Sequence, residues 1–456
     1  MRKNIKLKAH EQVNETITKI QEIVRIDSVR DTDNAAPGAP FGQGIRDSLD
    51  MFLNMASEIG LRTYADPEGR YGYAEIGPEN TEMIGILGHV DVVPVGELSQ
   101  WTKGLPFAAD IVDDAIIGRG TLDDKGPMVM NLMAVKTLLE CGVEFNKRVR
   151  FIVGCAEETT WECMNAYTEL EEMPTTGFTP DANFPVIHAE KTIVRFDGVK
   201  KNVNNNFTLI AEGAYNSVND KATYTGSKIA EVVSELEKLD ATFEQTEISV
   251  TVKGKSAHAM ATHLGVNAIY ILATAMYNAG ERSKSVDFIA EKMADTFYGE
   301  KICGEVHDEV SGKLTLNIGW VKITETEEAI GFDSRIPVLV DAKQIIETYK
   351  KAIENYGIEY IGFKETEALY EPADGPLVST LLNVYREVTG DHDTKPLTTG
   401  GGTYARAAKG TVAFGCVFGS FDMIDNMHQP NECLELRFIP MALEIYALAI
   451  YDLLNN

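Results

Sequence analysis

Met83-Ile84-Gly85-Ile86-Leu87-Gly88-His89-Val90-Asp91 is an apolar run that ends on a histidine and an aspartate. A short continuous apolar run reads as a buried strand. Residues i and i+2 of a strand share a face, so His89 and Asp91 are expected side by side. The imidazole can bind a metal while the carboxylate fixes the geometry around it. Alone, a His-x-Asp pair is as often an ordinary surface pair.

Four further segments change that balance. Gly118-Arg119-Gly120-Thr121-Leu122-Asp123-Asp124-Lys125-Gly126 is a Gly-rich turn running into a helix over Met128–Leu139, with Pro127 at its start. An aspartate there is most often an N-cap, but Asp123 sits within a nine-residue string of turn chemistry. Val149-Arg150-Phe151-Ile152-Val153-Gly154-Cys155-Ala156 reads as a second buried strand, closed by Glu157 and Glu158. Neighbours on a strand point apart, so one glutamate is free to ligate metal while the other works as general base. Asp181 follows Pro180, and His428 stands before Gln429-Pro430. Two ions held 3.5–4 Å apart need a bridging carboxylate with imidazole and carboxylate ligands on each side. These five segments supply such a set. The first four lie in one stretch and the fifth near the far end, so the fold must bring distant parts of the chain together.

The strings Gly88–Pro94, Gly118–Pro127, Phe178–Pro185, Gly400-Gly401-Gly402-Thr403-Tyr404 and Met427–Glu432 resemble the co-catalytic zinc metallopeptidase family of aminoacylase, carnosinase-type dipeptidases and glutamate carboxypeptidase. Within it they are most similar to bacterial peptidase V-type dipeptidases. The resemblance runs over nearly the whole chain. It implies that Asp123 bridges two divalent ions, Zn2+ first, with Mn2+ or Co2+ as alternatives. It assigns His89 and Asp181 to one ion, Glu158 and His428 to the other, Glu157 as general base and Asp91 as its acidic partner. It implies a cis Asp123–Asp124 peptide. It also implies substrate contacts from Asn216, Arg335, Gly401 and Gly402, and an oxyanion donor in His258, with His263 a nearby competitor. Two places depart from the relatives: Thr160 stands where they carry Gly, and His188-Ala189-Glu190-Lys191 where Asn-Gly-Glu-Lys is usual.

At 456 residues the chain exceeds one ordinary domain. Strands and helices alternate to about residue 190 and resume after 372, with a helix over Leu377–Val388 and a strand over Val412–Phe418. The segment between holds strands near 207–211, 248–252, 314–318 and 360–363, and helices near 227–239, 266–279 and 342–356. The expected fold is α/β: a mixed-sheet catalytic domain (1–190 and 373–456) with helices on both faces, interrupted by an inserted α+β lid domain (191–372) in two similar halves. No repeat is visible at the level of residues. By the resemblance, a lid of this length implies a monomer.

A net charge of −27 argues against nucleic acid or an anionic membrane as partner. The Gly400–Gly402 run lacks the Gly-Lys-Ser/Thr ending of a phosphate loop. Six cysteines without a Cys-x-x-Cys unit read as thiols of a reducing compartment. The basic start carries no apolar core of a leader, and Ile439–Leu454 reads as an amphipathic helix. The combined expectation is a cytoplasmic dipeptidase acting on small peptides with a free carboxylate. The alternatives are an N-acyl amino acid deacylase on the same scaffold and a non-catalytic, metal-dependent peptide-binding protein.

Overall fold

The computed structural model describes all 456 residues. They form two compact units, one of Met1–His188, Glu371–Leu397 and Thr403–Asn456, the other of Ala189–Tyr370 and Thr398–Gly402. The glycine run at 400–402 thus groups with the second unit, not with the flanking α/β segments.

In the first unit a mixed sheet runs Arg62–Ala65, Tyr71–Ile76, Arg148–Gly154, Met83–His89, Thr176–Thr179, Thr411–Ala413, Ile187–Glu190. The central neighbours pair in parallel and the outer ones antiparallel. Met83–His89 and Arg148–Gly154 are buried along their whole length, which is why they read as unbroken apolar runs. Register fixes the faces. Gly72 and Gly88 both stand opposite Val153. Gly72 lies against Leu49 and Leu53 of the helix Gln43–Glu58, and Gly88 against Met128 of the helix Lys125–Glu140. The alternate residues face the other way: Tyr71 packs on Tyr167 of the helix Glu162–Leu170, ring centroids 5.3 Å apart. Helices therefore cover both faces. Four parallel strands present their carboxyl ends on one side of the sheet, the position where open α/β sheets carry their sites.

Several sequence expectations shift. The chain opens with two helices, Arg2–Glu11 and Val13–Val24; the first buries just Ile5 and Ala9, too few to leave a helical period in the sequence. The strand expected over 412–418 is three residues, Thr411–Ala413. The C-terminal helix Ile439–Asn455 is not an amphipathic surface helix: it packs against Lys125–Glu140, Arg2–Glu11 and Pro376–Thr389. The longer stretch Leu436–Asn455 is long and apolar enough to cross a membrane, but most of it is buried within the protein.

The second unit is built on one antiparallel sheet, ordered Thr242–Gln245, Ser249–Lys253, Lys221–Thr225, Thr208–Ala211, Thr315–Ile323, Glu327–Ile336, Thr192–Lys201, Glu359–Thr366. Each half repeats one plan. A hairpin (208–225, then 315–336) leads through a helix, Ile229–Lys238 or Ala342–Glu354, to an outer strand. One further strand fills the gap between hairpin and edge. The halves meet where Leu209 pairs Ile323.

Gly126 closes the turn that carries Asp123. Its N–H donates to the Gly120 carbonyl (3.0 Å), and a Cβ there would stand 2.1 Å from the Thr121 carbonyl oxygen. That neighbour is backbone and cannot swing aside. Gly126→Ala is expected to cost about 2 kcal/mol or more, read as a lowered Tm; an unchanged Tm refutes this account of the turn.

Candidate metal centre

His89 is the last residue of its strand. Its Nδ1–H donates to the Asp91 carbonyl oxygen (2.9 Å), which leaves the Nε2 lone pair free to ligate. Asp91 lies two residues beyond the strand end, so the two do not share a strand face as expected. The Asp91 carboxylate instead accepts the backbone N–H of Glu157 at Oδ1 and of Glu158 at Oδ2, both at 3.1 Å. These glutamates sit in a turn after Arg148–Gly154, not on the strand. Their different orientations come from that turn and from Asp91, not from strand alternation.

Asp123 lies between two sets of side chains. Its Oδ1 is 3.0 Å from His89 Nε2, which is 3.7 Å from Asp181 Oδ2. Its Oδ2 is 2.7 Å from His428 Nε2, which is 3.2 Å from Glu158 Oε1. The Asp123–Asp124 peptide is cis, and Asp124, not Asp123, is the N-cap residue of the following helix. Asp124 Oδ2 accepts the His89 N–H (3.3 Å).

The electrostatics of this cluster favour added positive charge among its carboxylates. Burial, and then the Asp123 carboxylate, pushes Glu158 up to about 7. Burial pushes Glu157 well above its usual range, with Asp181, Glu158 and Asp123 adding to the rise and His89 opposing it. Asp181 is raised by burial and by Asp123. The Asp123 carboxylate, which accepts from the His428 ring, and the neighbouring Glu158 carboxylate push His428 up to about 11. The buried atoms His89 Nε2, Asp123 Oδ1 and Glu158 Oε1 have no hydrogen-bond partner. Buried polar atoms without partners are costly, and ligand atoms of these three residues lie within 4.8 Å of one another. Imidazole nitrogen and carboxylate oxygen are the donor types that suit zinc, manganese or cobalt. The residues fit divalent ions.

The sequence profile of peptidase family M20/M25/M40 matches residues 85–452. The chain belongs to that family. It is 36% identical over 472 residues to a protein of Staphylococcus haemolyticus named a putative dipeptidase, covering 98% of this chain and 99% of the relative. Among solved structures, human carnosine dipeptidase 1 superposes with a TM-score of 0.60 at 12% identity over the full length of both chains. An M20 family metallo-carboxypeptidase of Sulfolobus solfataricus does so with a TM-score of 0.59 at 18% identity, covering 96% of this chain and 99% of its own. At these identities the two structures share the M20 fold with this chain.

The remaining candidates lie in the second unit. Arg335 is buried; its Nε and Nη2 donate to Asp333 and its Nη1 to the Gly400 carbonyl (2.6 Å). Gly400 also abuts Met260, so the loop with Gly401 and Gly402 runs beside His258 and Arg335. His258 Nδ1 accepts the Met260 N–H (3.1 Å). In a neutral ring the proton is then on Nε2. Partial desolvation, then the Arg335 cation, holds this imidazole below its ordinary pKa. The Asn216 carbonyl accepts the Ala259 N–H (2.9 Å), which puts Asn216 beside His258. His263 lies instead near Tyr298, ring centroids 6.4 Å apart.

Sequence reasoning gave no role to Tyr404, Asp333 or Glu432. Tyr404 packs edge-on to His89 and Trp161, and its hydroxyl is 2.8 Å from Cys163 Sγ. Asp333 accepts from Arg195 as well as Arg335. The signal was present for Asp333, a carboxylate two residues before an arginine on one strand, so both face one way. The departures from the relatives also have partners: Arg30 donates to the hydroxyls of Thr159 and Thr160, and His188 Nδ1 is 2.7 Å from the Glu371 carbonyl. All six cysteines are free thiols.

Proposed function

We propose that this chain is a metal-dependent dipeptidase that hydrolyses short peptides bearing a free C-terminal carboxylate. One observation carries the reading: the two oxygens of Asp123 face separate histidine–carboxylate pairs, His89 with Asp181 and His428 with Glu158. His89, Asp123 and Asp181 would hold one divalent ion and His428, Asp123 and Glu158 the other, with Zn2+ the first choice and Mn2+ or Co2+ compatible with the same donors. Bound there, two such ions supply Lewis acidity and ready a water for attack.

The chain's own residues do the rest. Glu157 takes a proton from the attacking water and delivers it to the leaving amine. Asp91 holds the turn that aims Glu157 and Glu158. The His258 Nε2–H donates to the carbonyl oxygen as charge develops on it. Arg335 grips the substrate carboxylate, while Asn216 and the backbone of Gly401 and Gly402 line the substrate. The Ala189–Tyr370 segment acts as a lid, the working molecule is a monomer, and its free thiols suit the cytoplasm.

Chelation is the direct test. Stripped protein should lose hydrolysis of a dipeptide panel and regain it with Zn2+, Mn2+ or Co2+. Full activity in metal-free protein refutes the reading. Preference for N-acyl amino acids over dipeptides moves it to a deacylase.

A further inference from the structure

Glu432 is fully buried and binds the backbone of the turn that leads into Asp123. Its Oε1 accepts the N–H of Gly120 and of Leu122, each at 3.0 Å, and its Oε2 accepts from Arg119 Nη1 at 2.6 Å. Its carbonyl accepts the Gly118 N–H (2.9 Å). Arg119 in turn donates to the carbonyls of Gln429 (3.4 Å) and Pro94 (3.3 Å), with its guanidinium 5.5 Å from the centroid of the Trp101 ring. Leu122 directly precedes Asp123, and Gln429 directly follows His428. The pair therefore ties the backbone flanking one ligand to the backbone flanking the other.

His428 needs such a tie more than the other candidate ligands. Its side chain is 50% exposed and its backbone sits at φ +61 in a turn. His89, by contrast, ends a buried strand and is held by Asp91. Asp181 follows the strand Thr176–Thr179. Neither of those segments hydrogen-bonds Glu432, and Arg119 reaches the first of them no nearer than the Pro94 carbonyl.

We propose that Glu432, together with Arg119, is a positioning residue that sets the spacing between His428 and Asp123. The ion on the His428–Glu158 side depends on it more than the ion on the His89–Asp181 side, which shares Asp123 but takes its other two ligands from segments that Glu432 does not bond. This rests on the two-ion reading above. Outer groups that orient ligands typically contribute ~10–100-fold to metal affinity.

The test is titration of chelator-stripped protein with Zn2+ alone, beside metal analysis and thermal unfolding. Wild type should take two equivalents. Glu432→Gln should bind the first as wild type does and the second ~10–100-fold more weakly, and excess Zn2+ should restore its turnover with KM unchanged. Glu432→Asp keeps the charge toward Arg119 but falls one methylene short of the two amides, so it should lie between; it carries the test if Glu432→Gln does not fold. Wild-type binding of both equivalents by these variants, even with a lowered Tm, makes Glu432 a stabilising residue and overturns the proposal. Equal weakening of both equivalents overturns it too. A wild type that takes one equivalent brings down the two-ion reading instead.

Discussion

Glu157→Gln should retain both metal ions and lose turnover by ~10²–10⁴-fold, the range of a general base. Glu158→Gln should lose turnover as well, but with metal content falling toward one ion per chain. The two side chains are neighbours, and their backbone N–H groups are both held by Asp91. What separates them is where each carboxylate goes. Glu158 Oε1 lies 3.2 Å from His428 Nε2 and has no hydrogen-bond partner of its own. The charges that act on Glu157 are those of Asp181, Glu158, Asp123 and His89, and no ion pair joins it to either histidine. An amide at 157 keeps the shape of the turn and removes the proton acceptor. An amide at 158 removes half of a metal ligand's donor capacity and its charge. Metal analysis and kcat, measured on both variants, read the difference. Equal metal loss in the two would refute the division of labour.

That division was anticipated from the sequence for a reason the structure corrects. Two adjacent glutamates after an apolar run were expected on a strand, pointing to opposite faces. The strand ends at Gly154, and a turn begins where the Asp91 carboxylate, 66 residues earlier, caps two backbone N–H groups. No local pattern announces such a contact. The parallel strands themselves were legible because complete burial leaves an unbroken apolar run, as over Met83–Leu87. The same rule misled at Val412–Phe418. That run is buried throughout, but after Ala413 it leaves the ladder and follows the Asp181 segment. Phe414 N–H donates to the Thr179 carbonyl and Val417 N–H to that of Ala182, while Gly415 gives room for the Ala182 backbone. Burial writes hydrophobicity into a sequence; it does not write hydrogen-bond partners.

The second unit shows the same limit from the other side. Its halves share strand order and connection, yet no repeat is visible in the residues, because packing a helix on a sheet asks for apolar character and little more. The polar residues of its candidate site stand out better. His258 and Arg335 were named from short strings, whereas Asp333, which accepts from Arg335 and Arg195, was not. A buried carboxylate is recognised by its partners: Arg335 is two residues away on the same strand, but Arg195 comes from a neighbouring one.

Arg335 yields the sharpest test of substrate class. Of its five N–H groups, Nε and one on Nη2 go to Asp333, and one on Nη1 goes to Gly400. One N–H remains on each terminal nitrogen, a pair spaced to meet both oxygens of a carboxylate. An amide end offers a single oxygen and places an NH2 against the second donor. Loss of a hydrogen bond to a charged group costs ~1.5–3 kcal/mol, so wild type should prefer the free acid over the amidated dipeptide by roughly 10–100-fold in kcat/KM. Arg335→Ala should bring the free acid down to about the level of the amide, with metal content unchanged. The variant should still fold, because Arg195 Nε remains 2.9 Å from Asp333 and keeps that buried carboxylate paired; its Tm checks this. His258→Ala should instead slow acid and amide alike, because the proposed role of its Nε2–H is at the reacting carbonyl and not at the end group. A wild-type enzyme that cleaves both dipeptides equally well removes Arg335 from the carboxylate and points to an amidohydrolase that does not read the end of its substrate.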